Sequence, residues 1–209
     1  MFPDGISHSK RIFDLLFTSI GLVIISPVLA IIASLVRITH GKPILFHQIR
    51  PGYLAKPFCN LKFRTMLDTH DANGNLLPDD ERITPLGHFL RVTSLDELPE
   101  LLNVIRGEMS LVGPRPLLME YLDRYTTEQA RRHEVLPGIT GWAQVNGRNI
   151  LTWEDKFQYD VWYVVNRSMG LDINILWMTF WKVLKREGIS QPGYATAEKF
   201  MGSEEQPDK

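Results

Sequence analysis

Apolar and polar positions divide the chain unevenly. Leu15 to Val36 reads LLFTSIGLVIISPVLAIIASLV, 22 residues without a charge. A run of that length can cross the hydrocarbon core of a bilayer, and few buried helices of soluble proteins are so long and apolar. It exceeds the apolar region of a signal peptide and continues into structured-looking sequence. Ser26-Pro27 lies near its middle. Proline removes a backbone donor and crowds the carbonyl four residues back, which predicts a kink. The Ser26 hydroxyl is available to a freed backbone group. Lys10 and Arg11 precede the run; Arg37 and Lys42 follow it. A spanning helix usually has unequal basic flanks. Equal flanks suit a helix that enters, bends at Pro27 and leaves by the same face, with a kinked span as the alternative.

Beyond Lys42 the pattern is that of one small domain. Pro43 to Gln48 and Phe58 to Arg64, with Pro51-Gly52 between them, predict a short hairpin. Met66 to Glu81 is polar and turn-rich and reads as a loop. It is not a calcium loop, because Leu76 stands where the sixth-position glycine is required. Leu95 to Arg106 predicts a helix with Leu98, Leu101, Leu102 and Ile105 on one face. Ser94 and Glu97 have capping-box spacing, Pro99 suits a start one or two residues later, and Gly107 is the expected stop. Leu117 to Tyr125 and Thr127 to Leu136 read as short helices before the glycine-rich PGITGWAQVNGRN. Thr152 to Asn166 reads as a helix capped by Thr152. Asp172 to Glu187 reads as another, capped by Asp172 and stopped by Gly188. This last helix joins Ile173, Leu176, Trp177, Phe180, Trp181 and Leu184 to Lys182, Lys185 and Arg186, a mixture that serves a core or a membrane interface equally well. The tail from Ser190 is polar and expected to be loosely held. The expected fold class is α+β, mainly α. A membrane segment and its flanks occupy residues 1–42, a catalytic domain residues 43–189, and a polar tail residues 190–209.

Composition narrows the function. The chain has 209 residues, 44% apolar and 22% charged, with a net charge of −1. These values fit one domain and disfavour a generally basic nucleic-acid binder. One cysteine, Cys59, excludes an internal disulfide, a cysteine-based zinc site and a CxxC redox pair, and a reducing environment is the simplest reading. The Walker loop, GxGxxG, HExxH, GxSxG and Asp-x-Asp patterns are all absent. Asp96-Glu97 at a helix start is the leading chemical candidate, since an ionised carboxylate there can bind magnesium or attack an electrophile. Around it in sequence stand Arg91, Arg115 in GPRP, Arg148 in GRN, and Lys62 and Arg64 in KFRTM. Guanidinium groups make forked contacts with phosphate oxygens. For any one of them a surface ion pair is the better reading; together, and beside a membrane segment, they point to a phosphorylated, membrane-bound substrate.

Five stretches carry a resemblance: KRIFD, the run containing Ser26-Pro27, KFRTM, SLDELPELLNVIRGEMSLVGPRPLLMEYL, and RRHEVLPGITGWAQVNGRN. Through them the chain resembles, from about Lys10 to Phe200, the monotopic phosphoglycosyl transferases of the bacterial polyprenyl-phosphate sugar-1-phosphate transferase superfamily, in their small form. The terminal ATAEKFMG is similar to the end of the subgroup that begins glycan assembly for bacterial N-linked glycosylation. The resemblance implies transfer of a sugar-1-phosphate from a UDP-sugar to undecaprenyl phosphate, releasing UMP, with Mg2+ required. It implies that Asp96 is the nucleophile and a magnesium ligand, forming a covalent phosphosugar intermediate, with Glu97 its partner in acid–base work or metal support. It implies that Arg115 and Arg148 bind nucleotide or phosphate, while Lys62, Arg64 and Arg91 support the polar pocket. It further implies a re-entrant helix broken at Ser26-Pro27, residence on the cytoplasmic face of the bacterial inner membrane, interfacial amphipathic helices, and hand-over to downstream glycosyltransferases. The subgroup likeness implies UDP-N,N′-diacetylbacillosamine or another UDP-N-acetylhexosamine, although no residue identifies the sugar. Two other classes stay open on the residues: a membrane-anchored nucleotide-sugar binding or scaffold protein, and a metal-dependent nucleotide-sugar hydrolase.

Overall fold

The apolar run forms one long helix, α1, from His8 to Thr39, in a computed structural model that describes residues 5–147, 151–185 and 199–202. The helical turns continue through Pro27, so the break expected at Ser26-Pro27 does not take the form of a non-helical gap. The physical reason is local. Pro27 has no N–H to offer the carbonyl of Val23, and the Ser26 hydroxyl donates to that carbonyl instead, at 2.8 Å. The acceptor left over by proline is thus satisfied within the same turn.

Both ends of α1 are fastened to the globular domain. Near its start, Arg11 donates to the Ile105 carbonyl at 3.0 Å and Asp14 accepts from the Leu111 amide at 3.2 Å. Lys10 bridges Asp14 and Asp172 at 3.2 and 2.9 Å. Near its end, Ile32 and Val36 are buried against Phe63 and Leu90, and His40 contacts the Thr84 hydroxyl at 2.9 Å. Between these anchorages, residues 19–31 include no buried position. Val23 and Ile24 are 75% and 70% exposed, an arrangement foreign to water-soluble surfaces.

The hairpin appears as expected. β1 (Leu45–Pro51) and β2 (Pro57–Phe63) pair antiparallel, Leu45 opposite Phe63 and Pro51 opposite Pro57. After a loop come a single helical turn, α2 (Asp79–Arg82), and α3 (Pro85–Val92). No element was expected at α3, although Thr84 caps it by accepting from the Gly87 amide at 2.9 Å and Pro85 opens it. The helix expected from Leu95 splits. Leu95–Glu97 is a 3-10 turn and α4 spans Glu100–Arg106, starting after Pro99 and ending at left-handed Gly107. Ser94 sits at φ 57° and its side chain caps nothing there, so the expected capping box does not form; Glu97 is engaged elsewhere.

The remaining segments are shorter than their patterns suggest. Leu117 to Tyr125 contains a 3-10 helix, Met119–Arg124. Thr127 to Leu136 becomes α5 (Thr127–Ala130), with a Thr126–Gln129 capping box, followed by a 3-10 turn at Arg131–Glu134. β3 (Ser110–Val112) pairs parallel with β4 (Gly138–Thr140), two three-residue strands too short to announce themselves. α6 (Trp142–Asn146) and α7 (Trp153–Asn166) follow, the latter capped by Thr152 as expected. α8 spans Met169–Lys185, beginning earlier than its pattern suggested. Asp172 therefore lies inside the helix rather than capping it, and its carboxylate pairs with Lys10 and accepts from the Tyr163 hydroxyl. Ile175 is buried in the core, whereas Ile173, Trp177, Phe180, Trp181 and Leu184 are exposed, so the aromatic face of α8 is not core. Gly188 and Ser190 lie outside the described residues. Phe200 returns to the domain and is buried among Tyr121, Phe157 and Trp153.

Candidate active site

Alternation along the hairpin places one set of polar side chains on a common face. Gln48 and Arg50 of β1 stand opposite Asn60 and Phe58 of β2, and Lys62 continues that face. The free edge of β2 is closed by α4, where Asn103 accepts from the Leu61 amide at 3.2 Å and donates to the Cys59 carbonyl at 2.7 Å. That contact draws the start of α4, and the 3-10 turn before it, onto the polar face. The left-handed backbone at Ser94 turns the chain sharply into Asp96 and Glu97.

The two carboxylates receive different treatment. Lys62 reaches Glu97 at 2.6 Å and Glu100 at 3.3 Å. Arg115 forks onto both oxygens of Glu97, the second contact being its Nη1 to Oε2 at 3.2 Å. Asn60 donates to Glu100 at 3.0 Å. Asp96, 8% exposed, has no hydrogen-bond or ion-pair partner among the described residues. Burial first, and the adjacent Glu97 charge second, push its pKa up to about 6 against the pull of Lys62, Arg115 and Arg91. Burial acts on Glu97 in the same direction, but Arg115 and Lys62 outweigh it and hold its carboxyl far below the usual range. Glu100 is raised by burial despite Lys62. Arg115 is raised by Glu97 in spite of burial.

Lys62, Asp96, Glu97 and Arg115 thus come together as the motifs suggested. Arg91 is close enough for Asp96 to feel its charge and donates to the Thr65 hydroxyl at 3.0 Å. Arg64 is engaged elsewhere: it donates to the carbonyls of His40, Lys42 and Met66 at 3.0–3.2 Å and pairs with Asp68 at 2.7 Å, tying the end of α1 to the strand. Arg148 lies outside the described residues. Sequence reasoning missed Glu100, Asn60 and Arg132. Arg132 donates to the Arg115 carbonyl and to Asp160, both at 2.7 Å, and so fixes the backbone that carries Arg115. Period-two alternation would have found Asn60 beside Lys62; the other two needed tertiary contacts.

The donor set bears on magnesium. Among the described residues no cluster of three His, Cys, Asp or Glu side chains forms a cage. Mg2+ does not require one, since it commonly binds one or two carboxylates and completes its shell with water and substrate phosphates. Asp96, with no competing partner, fits that role; Glu97, with both oxygens held by cations, is less available.

The family described as "Bacterial sugar transferase" matches residues 6–186. An uncharacterized sugar transferase, EpsL, of Bacillus subtilis is 56% identical over 93% of this chain and 96% of its own length. A UDP-glucose:undecaprenyl-phosphate glucose-1-phosphate transferase of Klebsiella pneumoniae is 39% identical over 83% of this chain. A UDP-galactose-lipid carrier transferase of Erwinia amylovora is 41% identical over 86%. The chain spans about two fifths of these last two relatives, 39% and 41% of their lengths.

Proposed function

Because the chain belongs to the bacterial sugar transferase family, we propose that it transfers a sugar-1-phosphate from a UDP-sugar to undecaprenyl phosphate through a covalent intermediate on Asp96. The observation that carries this reading is the asymmetry of the carboxylates. Glu97 is tied to Lys62 and Arg115, while Asp96 beside it is buried, unpaired and thus free to react. An Asp96 oxygen attacks the phosphorus bonded to the sugar, the bond to the bridging oxygen breaks, and UMP departs with that oxygen. The acceptor's phosphate oxygen then attacks the same phosphorus, the Asp96–phosphorus bond breaks, and the carboxylate is restored. Lys62 and Arg115 supply positive charge where two anionic substrates meet in turn. Magnesium, held by Asp96 and the phosphates, would neutralise charge on the transferring group. The relatives' names cover glucose and galactose, and the terminal ATAEKFMG resemblance adds UDP-N-acetylhexosamines, so a panel of both donor classes is the screen that identifies the sugar.

The lipid acceptor places the reaction at a membrane surface. The two anchorages of α1 support a re-entrant path: a helix whose ends both pack on one domain, with an exposed apolar middle, dips into one leaflet rather than crossing. The exposed aromatic and basic side chains of α8 suit the same headgroup layer. We place the domain on the cytoplasmic face of the inner membrane, where UDP-sugars are available and where its lipid-linked product would pass to downstream glycosyltransferases. Cysteines introduced on both sides of α1, in a Cys59→Ser background, should label from the same side of sealed vesicles; opposite-side labelling would establish a span.

The deciding experiment is intact-mass analysis after exposure to donor and Mg2+ without acceptor. Wild-type protein should gain one phosphosugar and release UMP, and Asp96→Asn should do neither. UMP release without an adduct or acceptor would indicate a hydrolase, and neither event with any donor a binding protein.

A further inference from the structure

β1 carries a cation that the ion-pair network leaves out. Arg50 shares the hairpin face with Gln48, Asn60 and Lys62, the last two of which reach Glu100 and Glu97. Its Nη2 donates to Gln48 Oε1 at 2.6 Å, which aims the guanidinium along the strand. Its Nε is buried with no partner, and no acidic side chain pairs with it among the described residues. Its surroundings are unfavourable for a cation. Burial first and the like charge of Arg115 second lower its pKa to about 10, and Glu100 only partly offsets them. β1 packs against the Met119–Arg124 turn, and Asn60 and Lys62 on the same hairpin face reach Glu100 and Glu97, the latter held by Arg115, so the group stands on the Arg115 side of the hairpin. Two neighbouring guanidiniums, one satisfied by Glu97 and the other lacking an acid, are the arrangement an incoming oxyanion completes.

We infer that Arg50 forms, together with Arg115, a two-arginine subsite for a phosphate group of the reacting substrates. This inference rests on the phosphoglycosyl transfer proposed above. It adds a binding residue from a strand that neither the motifs nor the carboxylate geometry had singled out. The phosphate can be that of the nucleotide donor or that of the lipid acceptor, because both must visit the same carboxylate. Gln48 is the positioning residue: its neutral amide orients the guanidinium without occupying it as a carboxylate would.

The test uses the full chain in lipid nanodiscs and three variants: Arg50→Ala, Arg50→Lys and Gln48→Glu. Three quantities are read: UDP affinity, the rate of covalent loading from donor alone, and the rate of discharge to undecaprenyl phosphate. Arg50→Ala should lower at least one of them by about tenfold or more. Arg50→Lys should recover part of the loss by keeping the charge. Gln48→Glu should lower the same quantity with Arg50 still present, by giving the guanidinium a permanent anion. Losses in UDP affinity and loading assign the subsite to the donor; a loss confined to discharge assigns it to the lipid phosphate. Wild-type rates and affinity in both Arg50→Ala and Gln48→Glu would overturn the inference. If Arg50→Ala proves unstable, Gln48→Glu decides alone, with an unchanged thermal midpoint as its control. Failure of wild-type protein to load from any donor would instead count against the transfer mechanism, and UDP affinity would still report on Arg50.

Discussion

Two buried clusters of charge lie side by side, joined through Arg115, and they are built on opposite principles. In one, Arg132 and Asp160 form a closed pair. The guanidinium reaches Asp160 through Nε and Nη2 at 3.1 and 2.7 Å, donates to the Arg115 carbonyl, and lies against the rings of Tyr125 and Phe157. In the other, Lys62 and Arg115 are shared among Glu97, Glu100 and the field at Asp96, and the distribution is uneven. Asp96 is left without a partner and Arg50 without an acid. Burying unpaired charge costs stability, so a fold retains it only where something else completes it. The closed cluster holds Arg115 in place, and the open one is where the proposed transfer puts its substrates.

The largest effect should come from opening the closed pair. Asp160→Asn leaves Arg132 buried without its counter-charge, which costs about 3–5 kcal/mol, and thermal unfolding should fall by roughly 10 °C or more. Replacing both partners with apolar residues of similar volume, Arg132→Met with Asp160→Leu, should recover much of that loss. If the single variant unfolds like wild type, the pair is not structural and the contrast fails.

Asp96→Asn should do the reverse. Its carboxyl has a pKa near 6 in the fold and an ordinary one when unfolded, so above that range the ionised group destabilises the native state. Removing the charge should raise stability by about 1–3 kcal/mol at neutral pH while abolishing adduct formation. A destabilised Asp96→Asn would mean that the carboxylate is structurally paired after all.

The smallest effect is a shift of a pH limb. Loading needs the ionised carboxylate, so its rate should fall about tenfold per pH unit below the pKa of Asp96, which is about 6 without metal and lower once Mg2+ is bound, and level off above. Glu97 raises Asp96, and removing it also frees Lys62 and Arg115 to stabilise the anion. Glu97→Gln should therefore move the limb to lower pH, with a slower plateau. In the unfolding equilibrium the two carboxyls pull oppositely. The Asp96 contribution declines as pH rises from about 4 to 6, whereas Glu97, held low, contributes above its unfolded pKa and loses that contribution on acidification. A limb that stays in place or moves upward in Glu97→Gln would show that Glu97 does not set the ionisation of Asp96.

Much of this was legible in the residues, for local reasons. The length and apolarity of residues 15–36 determine a membrane-seeking helix. Proline and glycine punctuation determines the hairpin, the start of α4 after Pro99 and its stop at Gly107. The spacing of KFRTM, SLDELPE and GPRP supplied the carboxylates and two of the cations that meet them. What sequence could not determine depends on distant partners. Ser94 and Glu97 have capping-box spacing, but Lys62 and Arg115 hold Glu97 more strongly than a backbone amide would. Asp172 has the look of a helix cap until Lys10, across the fold, claims it. Arg64 shares a motif with Lys62 yet secures α1, because it stands one residue past the end of β2, where the chain leaves the hairpin and meets the carbonyls that follow α1. Only tertiary structure decides which of two adjacent carboxylates is neutralised and which is left bare, since that depends on where Arg115, brought in by a remote loop, comes to rest.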